Sequence, residues 1–372
     1  MTPTLSLYIA RRFLGTVAVT FVVVFAIVVI VDFAELMRAG AGTSALLGDL
    51  LGMALLHAPS LTIRAAPFTV LLAAMVCFAM LARSTELVVA RAAGVSVWRM
   101  LMPALLVAVG LGIFTFSVYS PIAAATASRF EAVEERLFQR SSSRLSISSG
   151  GLWLRQGGPD GQTVIRAQRT SGAGDRLWRV SVFRFDPDDR LYRRIEAHSA
   201  LLVQDAWRLT GVQVWDLAAL GEDGRAAAPA HPQALDEFRI PTDLTIDRIR
   251  ESFAPPDTIS FWKLPEFIRL LEGSGFTASP HRLHWLGLLT LPVLFSAMLL
   301  IGAAFSMRHL RFGGLGYMAL GCVLTGFGYF FLSDIATALG ASGTVPVLVA
   351  AWAPPISAVL LSLGLLLHLE DG

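Results

Sequence analysis

Lysine is almost absent from this chain. Of its 30 basic residues 29 are arginine, and the sole lysine is Lys263, in Trp262-Lys263-Leu264. A P-loop needs Gly-Lys-Ser/Thr so that the lysine reaches the β- and γ-phosphates of a nucleotide. No such loop is present, so any ATP-driven work of the P-loop kind requires another polypeptide. Cysteine is scarce too: Cys77 and Cys322 both lie inside apolar runs, which leaves neither a disulfide framework nor a metal quartet and reads as small packing residues. Charge is the third shortage. Only 16% of the 372 residues are charged against 54% hydrophobic, and a mean hydropathy of +0.61 is wrong for a soluble chain of this length.

The charges that exist are unevenly spread. Between Arg129 and Arg282 lie 42 of the 58, 21 of each sign, and the other 218 residues share 16. Hydrocarbon excludes unpaired charge, so the chain divides into an apolar N-terminal part, a water-exposed middle and an apolar C-terminal part. The net charge of +2 describes no single surface and implies no nucleic-acid partner.

A span needs about 20 apolar residues to cross roughly 30 Å of hydrocarbon. Six runs qualify: Phe13 to Val31, Ala65 to Ala82 with an apolar lead-in from Leu50 broken only by Arg64, Met100 to Ser128, Leu286 to Met307, Phe312 to Ser333, and Val345 to Leu369. The first is too long for a signal-peptide core, and Asp32, Glu35 and Arg38 separate it from the small residues that follow, so it reads as an uncleaved span. Arg11, Arg12, Arg83, Arg91, Arg99, Arg308 and Arg311 fall on one side of the spans and Arg38, with Arg64, on the other. By the positive-inside rule both termini are cytoplasmic, and the long middle segment lies outside the cytoplasm. The expected organisation is a polytopic α-helical membrane protein of six spans, 3+3: residues 1–128 hold spans one to three and a cytoplasmic helix at about 84–94, residues 129–280 an inserted all-β domain with a short interfacial helix, and residues 281–372 spans four to six.

The middle segment switches to short period-two runs rich in β-branched and aromatic residues. Leu152-Trp153-Leu154, Thr163-Val164-Ile165, Leu177 to Phe185, Leu191 to Val203, Trp207 to Leu217 and Phe238-Arg239-Ile240 are the predicted strands, with Asp186-Pro187-Asp188-Asp189 as a turn. Strict alternation puts Trp178, Val180 and Val182 on one face. Antiparallel β of sandwich or jelly-roll type follows. Aromatics occur on both faces, which fits either two packed sheets or an apolar trough that carries a lipid chain. The candidates to line such a trough are Trp153, Trp178, Val180, Phe183 and Trp215. Beyond the strands, Ser260 is placed to cap a helix from Phe261 to about Glu272, with Pro265 in its first turn and Gly273 ending it.

Hydrolytic chemistry finds no nucleophile: no Gly-x-Ser-x-Gly elbow occurs and no two carboxylates face each other within the spans. His281-x-x-His284 is the only close histidine pair, and Pro280 and Arg282 mark it as the entry to the fourth span, so no metal site and no cofactor is expected. Ionisable residues at span edges are functional candidates by default. They are Asp32, Glu35, Arg38, Arg64 and Asp334. Asp32 and Arg64 are deepest, placed either to pair with each other or to let Arg64 meet an anionic head group. Between the second and third spans, Ser84 is placed as a helix N-cap and Gly94 as its terminator, with Glu86, Leu87 and Arg91 between them. Either a plain interfacial helix or an element that docks a separate ATPase accounts for it.

Several motifs together carry a resemblance. Tyr8-Ile9-x-Arg11 precedes the first span, and Phe33-x-Glu35-x-x-Arg38-x-Gly40-x-Gly42 follows it. Arg83-Ser84-x-Glu86-Leu87-Val88-Val89-x-x-Ala92-x-Gly94 fills the loop, and Gly151-Leu152-Trp153 opens the β segment. Over nearly its whole length the chain resembles the lipopolysaccharide-export permeases, the LptF/LptG family, nearer its LptG-like branch. The resemblance implies a non-catalytic permease subunit with a periplasmic β-jelly roll, in the bacterial inner membrane, paired with a paralogous permease subunit and driven by a cytoplasmic ABC ATPase dimer. It further implies a single-span periplasmic export partner, a periplasmic bridge protein, and lipopolysaccharide as the substrate passed up a hydrophobic trough. On it, Arg83, Glu86, Leu87 and Arg91 form the ATPase-coupling segment, with Glu86 meeting an arginine of the ATPase. Arg38 attracts lipid phosphates at the cavity mouth, and Arg129 and Arg136 extend that ring. Where enteric-type members carry lysines on the first span this chain has Asp32 and Ala39, and Arg64 is the arginine placed to substitute. The readings from other classes are a membrane scaffold whose β domain binds a periplasmic partner, and an ion-coupled lipid transporter using Asp32 and Glu35.

Overall fold

The computed structural model describes residues 3–40, 46–84, 86, 96–137, 144–148, 151–158, 161–171, 175–186, 190–203, 206–216, 232–242, 255–273, 277–306 and 315–370. The chain separates into two compact units. One comprises Met1–Phe138, Pro256–Leu264 and Ser279–Gly372, the other Gln139–Pro255 and Pro265–Ala278.

The first unit is a helical bundle. Its helices are α1 (Pro3–Ala39), α2 (Leu47–Arg83), and α3 (Val97–Phe114), which passes through a π-helical turn, Thr115–Tyr119, into α4 (Ser120–Leu137). After the inserted unit and α5 (Leu264–Gly273) come α6 (Ser279–Ser306), α7 (Leu315–Ala341) and α8 (Val347–Glu370). Counting α3 and α4 as one, six helices among the described residues are long and apolar enough to cross a membrane. They follow the predicted runs. The first three outreach them at both ends, α6 begins earlier, α7 runs on to Ala341, and α8 starts at Val347 rather than Val345. Met307 and Phe312 to Gly314 lie outside the described residues. The second passes Arg64 without a break, and the third continues from the expected Ser128 through Arg129, Glu131 and Glu134 to Leu137. At 1.5 Å per residue, 37-residue α1 is about 55 Å long, so its polar ends clear the hydrocarbon.

The bundle is built around α6. In its most apolar stretch 72% of residues are buried, against 6% for α1, so α1 and α7 turn apolar faces such as Val19, Val23, Ile27, Phe327 and Phe331 outward. Close packing at the centre depends on small residues. A Cβ on Gly112 of α3 would lie 2.4 Å from Cα of Pro292 in α6, so no larger residue fits that crossing.

The π-helical turn has a covalent cause. Pro121 has no N–H, so the Ser117 carbonyl loses its ordinary i+4 donor. The helix widens instead, with Ser120 N–H donating to Thr115 O, an i→i−5 bond. The Trp262 indole N–H takes up the orphaned Ser117 carbonyl at 3.1 Å, while Phe116 packs on Phe261 at 5.0 Å.

The described residues of the second unit form an antiparallel sheet of seven strands: β1 (Arg144–Ser148), β2 (Gly151–Gly158), β3 (Gly161–Thr170), β4 (Arg176–Phe185), β5 (Leu191–Val203), β6 (Ala206–Asp216) and β7 (Gln233–Pro241). All six predicted strands form, β2, β3 and β7 longer than expected, and β1 is an addition; Leu217, the expected end of β6, lies outside the described residues. Their order is sequential, β1 through β7. Among the described residues that is a meander, without a Greek-key crossing. Its buried face is mainly aliphatic, from Leu152, Leu154 and Ile165 through Val182 and Ile195 to Val214, with Trp207 fully buried among them and Phe238, opposite Leu209, half-buried at its edge.

Two expectations of local structure are corrected. Trp178 does not share a face with Val180 and Val182: both valines are buried and Trp178 is 38% exposed. Between them Arg179 has φ +52°, which reverses the pleat. Helix α5 starts at Leu264 rather than Phe261. Ser260 serves it through its carbonyl, which accepts the N–H groups of Lys263 and Leu264 at 2.9 and 3.1 Å. The Asp186 carboxylate accepts the Arg190 N–H at 2.8 Å, and the Asp186 N–H donates to the Arg190 carbonyl at 3.0 Å; Pro187 to Asp189 lie outside the described residues.

Candidate functional site

At the end of the bundle where α1 begins, Tyr8 and Arg12 share a face at i,i+4 spacing. The Arg12 guanidinium lies 5.7 Å from the Tyr8 ring and bonds its hydroxyl. It reaches across to Oε1 of Glu86 at 3.2 Å, just past the end of α2. Ser84, the residue that closes α2, donates its hydroxyl to the same oxygen at 2.9 Å. Glu86 is thus held by one oxygen to two elements, and Arg83 beside it is exposed. Leu87, Arg91 and Gly94 lie outside the described residues. Arg12 entered the sequence reading only as a topological charge; its spacing from Tyr8 was the available signal.

At the opposite end, Asp32 and Arg64 do not pair. Asp32, 7% exposed, binds Nδ1 of His57 in α2 at 2.9 Å, and His57 stacks on Phe130 of α4 at 4.4 Å, nearly parallel. Three helices therefore meet at one buried carboxylate, whose other oxygen, Oδ2, has no partner among the described residues. Arg64 instead lies 3.5 Å from Asp257, in the turn that leads the chain back to the bundle. It stays 72% exposed, so the pair is weak. Glu35, Arg38, Arg129 and Asp334 are exposed, and Arg136 is in the last turn of α4. His57, Phe130 and Asp257 escaped the sequence reading because nothing short of the helix packing brings them together. His281 and His284 occupy the start of α6, and no grouping able to hold a metal occurs among the described residues.

Of the five proposed trough residues only Val180 lies on the buried face of the sheet. Trp153, Phe183 and Trp215 are half-buried on the other. There cross-strand pairing sets Arg166 opposite Trp153, and Arg194 between Phe183 and Trp215. The Arg194 guanidinium lies 5.9 Å from the Phe183 ring and 5.6 Å from Trp215, and Arg166 lies 5.3 Å from Trp153. Arginine stacking is how this face carries aromatics beside water. The two-faced aromatic pattern thus has its own physical cause.

Comparison with known proteins bears on the whole chain. Residues 7–368 match the family model of the lipopolysaccharide export system permeases LptF/LptG. The chain belongs to the LptF/LptG family. Among its relatives are the LptG lipopolysaccharide export system permease proteins of Escherichia coli strain K12 and of strain O6:H1, each 25% identical over 373 residues, covering 97% of both chains. An LptF/LptG chain is a transport subunit and not a catalytic enzyme, and its six apolar helices make it a multi-pass membrane protein. The Arg12–Glu86 and Asp32–His57–Phe130 groups both lie within the matched residues.

Proposed function

We propose that the chain is the LptG-type permease subunit of an ABC transporter that extracts lipopolysaccharide from the bacterial inner membrane and passes it to a periplasmic bridge. In this reading both termini and Glu86 are cytoplasmic and the β domain is periplasmic. The partners are a paralogous LptF-like permease, a cytoplasmic ATPase dimer, a single-span export partner and the bridge protein. The relatives of the chain are named as lipopolysaccharide export permeases.

The observation that carries the reading is the anchored carboxylate of Glu86. Arg12 and Ser84 hold Oε1, so a basic residue of an ATPase docking there meets a preset partner. Arg83, Leu87 and Arg91 would complete the docking segment. An external motor is required on energetic grounds: each buried CH₂ is worth about 0.8 kcal/mol, so lifting a multi-acyl lipid out of a bilayer costs many times that. At the other end, Arg38, Arg64, Arg129 and Arg136 would meet the lipid phosphates. Arg64 suits this role because its contact with Asp257 is weak enough to exchange for a bidentate phosphate. The aliphatic buried face of the sheet, Val180 included, rather than the arginine-capped aromatic face, would hold the acyl chains.

Glu86→Arg tests the reading. Co-purification of the ATPase with the permease pair should fall at least about tenfold, a loss of roughly 1.4 kcal/mol or more, while the variant still assembles with its paralogue. Unchanged ATPase recovery and lipid release would remove Glu86 from the coupling role.

A further inference from the structure

One row of residues crosses the sheet without ladder pairing. β3 pairs β4 at Ala167↔Val180 and Arg169↔Trp178, and β4 pairs β5 at Val180↔Ala197 and Trp178↔Ser199. β5 pairs β6 at Ala197↔Val212 and Ser199↔Thr210. Gln168, Arg179, His198, Gly211 and, in β7, Asp236 are the row passed over; Asp236 is not among the residues that line the resulting notch. Two of them, Arg179 and Gly211, have positive φ, +52° and +65°. The pleat reverses there in β3 to β6, where the buried residues are three apart instead of two: Ala167 and Thr170, Leu177 and Val180, Ala197 and Ala200, Leu209 and Val212. Each strand therefore turns two consecutive residues away from the core. The result is an open notch of about 740 Å³ lined by Gln168, Arg169, Trp178, Arg179, His198 and Ser199.

The two positive-φ residues differ in an informative way. Gly211 is required by space, since a Cβ there would lie 2.6 Å from Nδ1 of His198. Position 179 has the same backbone demand, which glycine meets without strain, yet holds an arginine. Strain kept at a non-glycine residue points to a use for its side chain. That side chain donates to Oε1 of Gln168 at 3.3 Å, and neither Arg179 nor Arg169 has an acidic partner among the described residues. Beside them stand the exposed Trp178 indole, the Ser199 hydroxyl, bonded to Thr210 at 2.7 Å, and His198, whose Nδ1 lies 3.3 Å from Gly211 O.

We propose that this notch binds an acidic saccharide. Its phosphate or carboxylate lies between the forked donors of Arg169 and Arg179, a sugar ring rests against Trp178, and its hydroxyls bond Gln168, His198 and Ser199. A glycolipid head group and a free sugar phosphate share this chemistry. The inference stands on the sheet alone and does not depend on the export reading.

The test is calorimetric titration of the full chain in detergent with maltose 1-phosphate, maltose and inorganic phosphate. Maltose 1-phosphate should bind at least tenfold more tightly than either of the others. Equal binding of phosphate and sugar phosphate overturns the saccharide assignment, and no binding of maltose 1-phosphate overturns the site. Arg179→Gly keeps the bend and relieves its strain, so it should fold with an equal or higher Tm and lose maltose 1-phosphate binding at least tenfold; retained binding sinks the proposal. Trp178→Ala should erase the preference over phosphate, and its persistence would count against the stacking contact. Lipopolysaccharide that displaces maltose 1-phosphate identifies the head group as the source. Maltose 1-phosphate that binds but is not displaced supports a site for free acidic sugars.

Discussion

Asp32 and His57 have opposite burial, one enclosed and the other half-open, and that asymmetry determines how they should respond to substitution. His57→Phe preserves the stack on Phe130 but leaves a buried carboxylate with neither oxygen bonded. The expected loss is about 1–3 kcal/mol, the cost of an unsatisfied buried polar group, read as a lower Tm in detergent. Adding Asp32→Leu should recover most of it, because an apolar pair removes the orphaned charge. A His57→Phe protein as stable as the parent would show that the bond contributes nothing. At the other end of α1, Arg12→Ala should free the Glu86 carboxylate without deleting it. ATPase recovery should fall less than for Glu86→Arg, and a larger fall would give Arg12 its own docking contact. Neither pairing was legible in the sequence. A histidine in a leucine-rich run and a second arginine before a span look the same whether they are partnered or not, since the partner lies 25 or 74 positions away.

Elements were easier to read than residues, for a physical reason. Hydrocarbon tolerates so few backbone solutions that an uncharged run of about 20 residues is almost a statement of helix, and every predicted span became one. The strands were legible from their alternation until Arg179. An arginine has no preference for positive φ that would announce a reversal, and so Trp178 was assigned to the wrong face. In the third span Pro121 announces a missing N–H, but the π-helical turn and the Trp262 indole that answer it depend on packing between distant segments. Trp262→Phe should cost about 1 kcal/mol by stranding the Ser117 carbonyl. In a Pro121→Ala background an N–H returns to position 121, and the same substitution should cost much less. The measurement is a double-mutant cycle on thermal unfolding, and strict additivity would separate the two residues.

For the molecule as a whole, under the proposed export reading this chain is a permease that draws its energy from a separate ATPase. Lipid release from proteoliposomes holding both permeases and the ATPase should require ATP and withstand a protonophore. Release driven by a proton gradient alone would favour the ion-coupled reading and turn attention to Asp32. The π-helical turn also sets how the two ends of the bundle are indexed. An α-helix rotates by about 100° per residue, so the one residue accommodated by the i→i−5 bond fixes the rotational phase of α4 relative to α3. Deleting a single residue from Thr115–Tyr119 would leave Gly112 seated against Pro292 while turning α4 by about that angle. Phe130 would then swing off His57, and the far end of the third span would present a different face to α1 and α2.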